Sequence, residues 1–370
     1  MREHDPGLPP RYTIYAPSEI VWVGDWRAGA QDRELPTGSP GRFLGSHFSN
    51  RPRRHDGDTS RTVFTSVLAI VKTSPVDFPS DPGLVAVALR FGVAPHALLG
   101  HGGEAWVYAL DDERVLRVLH DGGGTPDVLR RMALVEELAL SQPVYRLPEV
   151  LDVGEFEGRT YAIERRLPGR SMLDELGRVE GAARERLIEA YLDTSASLGD
   201  LHLPAHTGFG DLIADDSIVA PTWRAYLEER AARNLMRSTP ELRHVDPVGI
   251  ADGLPDASTP SFVHLDAFAG NLLTDGVVVT SVIDFGASSL AGDRRLDPIA
   301  STVYLSDPHV TPTATAHDVD VALAWLRTEG LAEWLEPGRR WLAAYWSFEV
   351  DDPKVIAWCS EVLLRSQSGN

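Results

Sequence analysis

Residues 262–286, FVHLDAFAGNLLTDGVVVTSVIDFG, constrain this chain more than any other segment. They place His264 two positions before Asp266, Asn271 five positions after it, and Asp284 at the end of a second apolar run, in Ile283-Asp284-Phe285-Gly286. Phosphoryl transfer needs a carboxylate to orient an attacking hydroxyl and take its proton, and oxygen ligands to hold Mg²⁺ against the phosphates. Asp266 suits the first role; Asn271 and Asp284 suit the second, because Mg²⁺ prefers hard oxygen donors. Aspartate, asparagine and glycine are also ordinary turn residues, so neither His-x-Asp nor Asp-Phe-Gly means much alone. Their combined order, with apolar runs between, is far rarer by chance.

The surrounding pattern supplies a context. From about residue 82 the chain predicts a helix over 84–93 and strands over 97–99, 105–110 and 114–120. A helix over 125–140 and strands over 150–156 and 160–166 follow, ending at a hinge-like Leu167-Pro168-Gly169. Beyond the hinge the chain is mainly helical, over 181–203, 222–236, 315–329, 333–348 and 353–365, interrupted by a β-rich insertion at 261–285. The expected fold class is α+β in two lobes: a small β-rich lobe over 81–168 for nucleotide, and a larger, mainly helical lobe over 169–370 for catalysis and acceptor.

In the small lobe the turn Gly100-His101-Gly102-Gly103 lies between strands, where a phosphate-covering loop belongs, although glycine is also the default of any tight hairpin. The third strand should carry a cation for the phosphates. No lysine lies between Lys72 and Lys354, so the candidate is Arg117, flanked by apolar residues in Val115-Leu116-Arg117-Val118-Leu119. Arginine is permanently charged and can fork onto two phosphate oxygens. The alternative is a surface arginine on an edge strand. The next helix should hold a carboxylate to pair with that cation; Glu136 and Glu137 are both available, and the sequence does not choose between them.

Composition narrows the function classes. The net charge of -19 comes entirely from the chain after residue 80, where 45 Asp/Glu outnumber 25 Lys/Arg. A body this acidic disfavours nucleic acid, whose binding needs cationic contacts, and would attract cationic small molecules. No apolar run approaches the length of a membrane span. A single cysteine, Cys359, excludes an intramolecular disulfide, and no Cys/His cluster has zinc spacing, so a cytoplasmic location is expected. Residues 1–80 are rich in Pro, Gly, Arg and Ser without period and are expected to be disordered or an extension. Nothing in the sequence indicates an oligomeric state.

From about Val93 to its C-terminus the chain resembles the aminoglycoside phosphotransferase family, most of all its hygromycin B kinases. The likeness is carried by GGEAWVYAL, RVLRVLH, LPEVLDVGEF, YAIERRLPG, TGFGDL, TWRAYL, FVHLDAFAGNLLTD, VIDFGASSLAGDRRLD and DDPKVIAW. The resemblance implies a protein-kinase-like fold with ATP between the lobes, GTP being the alternative nucleotide. It implies adenine read by backbone around Glu164 to Leu167, Arg166 included. Asp266 would be the base, and Asn271 and Asp284 would hold magnesium. This chain has Leu265 where the family commonly has glycine, and an unusual Ala267-Phe268-Ala269-Gly270 after Asp266. Asp297 is expected to be structural. The acceptor is a small molecule with a hydroxyl, and Glu349, Asp351 and Asp352 are candidates to meet its ammonium groups, or else a solvated helix start. Related folds also phosphorylate ordinary metabolites. A pseudokinase is disfavoured by the intact Asp266, Asn271 and Asp284.

Overall fold

The computed structural model describes residues 81–101, 104–120, 124–203, 208–214 and 216–365. Gly102, Gly103 and the expectation for residues 1–80 lie outside them.

Helix α1 (Pro82–Arg90) starts where Asp81 accepts the Leu84 amide at 2.8 Å and Pro82 fills the first turn. Strands β1 (Leu98–His101), β2 (Ala105–Ala109) and β3 (Arg114–Leu119) follow, then helix α2 (Thr125–Ala139) and strands β4 (Val150–Phe156) and β5 (Arg159–Arg165). They form an antiparallel sheet in the order β1-β2-β3-β5-β4. Strand alternation divides its two faces. Leu116 and Val118 of β3 join Tyr108, Tyr161 and Ile163 in packing on Leu84, Val87 and Ala88 of α1. Val115, Arg117 and Leu119 point the other way, where Leu119 and Ala162 pack on Val128 of α2. Arg117 therefore sits on the central strand, opposite Ala162, and not at a sheet edge.

The hinge is pinned from below. The Pro168 carbonyl accepts hydroxyls from Thr280 at 2.7 Å and Ser281 at 3.2 Å. Gly169 has φ +103°, and a Cβ there would lie 2.5 Å from Thr280 Oγ1, so only glycine fits without displacement.

The second lobe opens with strand β6 (Arg170–Ser171) and helices α3 (Met172–Leu176) and α4 (Gly181–Ser197). It continues through β7 (Phe209–Asp211), β8 (Val219–Ala220), α5 (Trp223–Arg237), α6 (Pro247–Asp252), β9 (Ser261–Val263), β10 (Leu272–Thr274), β11 (Val279–Val282) and β12 (Leu290–Gly292). Helices α7 (Leu296–Ser306), α8 (Ala316–Thr328), α9 (Leu335–Trp346) and α10 (Pro353–Arg365) complete it. The expected hairpin is β10–β11, extended by β6. A second small sheet, β8-β7-β12-β9, was not expected; its strands are too short to show a period. The helix expected over 181–203 ends at Ser197 and tightens into a 3₁₀ turn, Leu198–Asp200.

A buried charge network fastens this second sheet to α5. Asp211 accepts the Ile218 amide and the Tyr226 hydroxyl, each at 2.7 Å, and pairs with Arg230. Arg230 also reaches Asp216 at 3.2 Å. Removing one partner of a buried pair strands the other charge. Arg230→Met should therefore cost about 3–5 kcal/mol of stability, and adding Asp211→Asn should recover part of that loss. Urea denaturation midpoints of the two variants check this.

Candidate active site

Strand β9 ends at Val263 and delivers His264-Leu265-Asp266 into a loop whose backbone polar groups are tied down. Asp297, in the first turn of α7, accepts the amides of His264 at 2.9 Å and Leu265 at 2.8 Å. The Leu265 carbonyl accepts the Tyr304 hydroxyl at 2.8 Å, and the Ala267 carbonyl accepts the hydroxyls of Tyr191 at 2.9 Å and Ser301 at 3.0 Å. Leu265 is held at φ +63° with its side chain fully buried in the helical core. A left-handed leucine costs about 1–2 kcal/mol, which accounts for the glycine common at this position in the resembling family. The burial of leucine offsets that strain.

His264 serves the loop as a tether. Its Nε2–H donates to the Ile283 carbonyl at 3.1 Å, and its ring packs on Phe285 with centroids 4.7 Å apart. Burial lowers its pKa, so the imidazole is neutral at physiological pH. The histidine thus joins the loop of Asp266 to the chain just before Asp284.

Asn271 closes the loop from the other side. Its Nδ2 donates to the backbone carbonyl of Asp266 at 2.9 Å and to that residue's Oδ2 at 3.2 Å, while its own carbonyl accepts the Ile283 amide at 2.9 Å. Asp266, Asn271 and the Asp284 segment are therefore drawn into one cleft. Burial raises the Asp266 carboxyl well above its ordinary value, with the Asp284 and Glu104 charges adding to the effect. Burial also pushes on Asp284, but the guanidinium groups of Arg117 and Arg131 hold that carboxyl below its ordinary range.

The metal question can be put to these atoms. Asn271 spends its Nδ2 on Asp266, which leaves Oδ1 for a ligand; Asp284 gives Oδ1 to Arg117 at 3.2 Å and keeps Oδ2. Two such oxygens suit Mg²⁺, which binds through one or two side chains together with phosphates and waters. Among the described residues no cluster of three or more His, Cys, Asp or Glu has metal-site geometry. A metal held only by the protein is not what this donor set suits.

The cation of β3 has different partners from those expected. Arg117 donates to Glu104 Oε2 at 3.3 Å and to Asp284 Oδ1 at 3.2 Å. Glu137 instead lies 3.7 Å from His202, and Glu136 has no ion pair among the described residues. Helix α2 contributes a second cation, Arg131, which donates to the same Glu104 oxygen at 2.5 Å. The sequence reading missed both residues. Arg131 was legible in principle, because it shares a helical stripe with the buried Val128, Val135 and Leu138, whereas Glu136 and Glu137 are exposed.

At the hinge, the Arg165 amide goes to the Glu149 carbonyl and the Arg166 amide to the Glu113 carbonyl. The Arg166 guanidinium turns outward to the Asp111 carbonyl at 3.3 Å. Leu167 keeps an uncommitted amide among the described residues, beside a cavity of about 420 Å³ that Glu164, Arg117, Asp284 and Phe285 also line. Gly100 lies on β1 at the start of the loop. Of the acidic candidates in the second lobe, Asp352 caps α10 through the amides of Lys354 at 2.8 Å and Val355 at 3.2 Å, Asp351 is exposed and Glu349 is buried. These three do not form a joint acidic surface.

The sequence matches the phosphotransferase enzyme family over residues 97–299, more than half of the chain. No curated protein matches it. Among solved structures, the GDP and kanamycin complex of APH(2'')-IIIa is 15% identical, with 74% of this chain and 93% of that chain covered and a TM-score of 0.47. ADP-bound aminoglycoside phosphotransferase APH(2'')-Ib is 15% identical over 72% and 90%, with a TM-score of 0.49. A fructosamine-3-kinase from Haemophilus somnus 129PT, so named as putative, is 14% identical over 76% and 95%, with a TM-score of 0.47. Membership rests on the family match and not on these distant likenesses.

Burial raises the Asp297 carboxyl from its ordinary 3.8 to about 7, against the pull of its two amide bonds. A carboxyl whose pKa is higher folded than unfolded stabilises the fold most at low pH, and that contribution is lost as pH rises toward 7. The stability advantage of wild type over Asp297→Asn should therefore shrink between pH 4 and 7, on the order of a few kcal/mol. Denaturant unfolding across that range measures it; a constant difference would show that Asp297 stays ionised.

Proposed function

The chain belongs to the phosphotransferase enzyme family, and from that membership and the chemistry of its cleft we propose a magnesium- and ATP-dependent O-phosphotransferase. Its acceptor is the hydroxyl of a small polar molecule, with a hygromycin-like aminoglycoside the leading candidate and a cytoplasmic location where ATP is available. The observation that carries this reading is the convergence of Asp266, Asn271 and Asp284, secured by the two hydrogen bonds from Asn271 to Asp266.

Each residue then has a role. Asp266 accepts a hydrogen bond from the acceptor hydroxyl, aligns its oxygen and receives its proton as the new O–P bond forms. Burial and the Asp284 and Glu104 charges raise the Asp266 carboxyl, which makes its ionised form a stronger base for that proton. Asn271 Oδ1 and Asp284 Oδ2 would hold Mg²⁺, which neutralises phosphate charge when bound. Arg117, half-buried and permanently charged, would face the phosphates from the central strand. The Leu167 amide, uncommitted among the described residues, would read one acceptor atom on the edge of the base, which permits ATP or GTP. The acidic body favours a cationic acceptor.

The test is a purified-protein assay with Mg²⁺-ATP against aminoglycosides, hygromycin B included, with the phosphorylated product identified by mass spectrometry. Product should form with at least one compound, and Asp266→Asn should lower kcat by roughly 10²–10⁴ while leaving nucleotide affinity close to wild type. Nucleotide binding with no aminoglycoside product would shift the acceptor to an ordinary hydroxylated metabolite. Absence of nucleotide binding would remove the kinase reading altogether.

A further inference from the structure

Glu104 is the first residue after the glycine turn, and its carboxylate reaches into the cleft instead of outward. One oxygen, Oε2, receives Arg117 at 3.3 Å and Arg131 at 2.5 Å. Its other oxygen lies over the backbone of Gly286, where a Cβ would come within 3.6 Å of it. Arg117 is simultaneously bound to Asp284 at 3.2 Å. A single anionic oxygen thus bridges two guanidinium groups beside the metal-ligand candidate, directly after the glycine turn in sequence. The side chains are largely enclosed, with Arg117 15% and Arg131 18% exposed, so the contact is not a casual surface pair.

Carboxylate and phosphate oxygens present the same chemistry to guanidinium donors, and two convergent arginines suit a phosphate at least as well as a carboxylate. We propose that Arg117 and Arg131 together form the nucleotide's phosphate clamp, and that Glu104 occupies this clamp in the nucleotide-free enzyme and is displaced by the phosphates. The proposal rests on the cleft being a nucleotide site. Arg131 then takes the place at which a carboxylate was expected from α2, and Glu104 is a competing anion built into the loop. Its departure also removes a negative charge from the neighbourhood of Asp266.

Calorimetric titrations of the full chain with ADP, ATP and adenosine, all with Mg²⁺, test the proposal. Glu104→Gln should bind ADP more tightly, by up to about tenfold if the Glu104-bound state holds roughly nine-tenths of the free enzyme. Arg131→Gln should weaken ADP roughly tenfold or more while leaving adenosine affinity unchanged, and Arg131→Lys should restore part of the loss. Unchanged adenosine binding also shows that the variants are folded. Weaker or equal ADP binding by Glu104→Gln, or equal losses of ADP and adenosine in Arg131→Gln, would overturn the clamp and make Glu104 and Arg131 structural. Wild-type protein that binds none of the three ligands would instead overturn the nucleotide-site reading beneath it.

Discussion

Two amide hydrogen bonds to one buried carboxylate set the geometry on which the rest of the site depends. Asp297 holds the backbone of His264 and Leu265 at 2.9 and 2.8 Å, and that grip fixes where Asp266 points. The strain at Leu265 is tolerated because its side chain is locked in the helical core while Tyr304 fastens its carbonyl, itself held by Trp346 at 2.9 Å. Asp297 and Tyr304 both belong to α7 and Trp346 to α9, so the loop's position records how these two helices pack. A rigid carboxylate is what phosphoryl transfer demands, since catalysis there is mostly positioning and electrostatics.

The cleft is also an electrostatic balance between the lobes. Glu104 and Asp284 face Arg117 and Arg131, with Glu164 close enough to influence Arg117, while Asp266 feels the Asp284 and Glu104 charges. Arg117 and Glu104 come from the small sheet, while Asp284 comes from the end of β11 in the second lobe. The Arg117–Asp284 bond therefore joins the lobes through the site itself.

Much of this could be read from the chain alone, for definite reasons. The strands of the small lobe were recognisable as short apolar runs bounded by turn residues, whereas the place of Arg117 on the central strand is settled only by the sheet order. Asp266, Asn271 and Asp284 were recognisable because a tight loop and hairpin fix their spacing locally. The partner of Arg117 was not legible, since Glu104 reaches it across a turn, whereas Arg131 could be found from the helical stripe it shares with Val128, Val135 and Leu138. The sheet of β7, β8, β9 and β12 has strands of two or three residues, too short to carry a pattern. The triplet Glu349, Asp351 and Asp352 looked like one cluster in sequence but separates into a buried acid, an exposed one and a helix cap.

We propose that Asn271 and Asp284 present oxygens for a metal that engages nucleotide phosphates. Calorimetric titration of ATP into wild type and Asp284→Asn, each with and without Mg²⁺, addresses it most directly. Mg²⁺ should strengthen ATP binding to wild type, and that strengthening should disappear in Asp284→Asn. ATP binding indifferent to Mg²⁺, or a metal effect that survives the substitution intact, would contradict it.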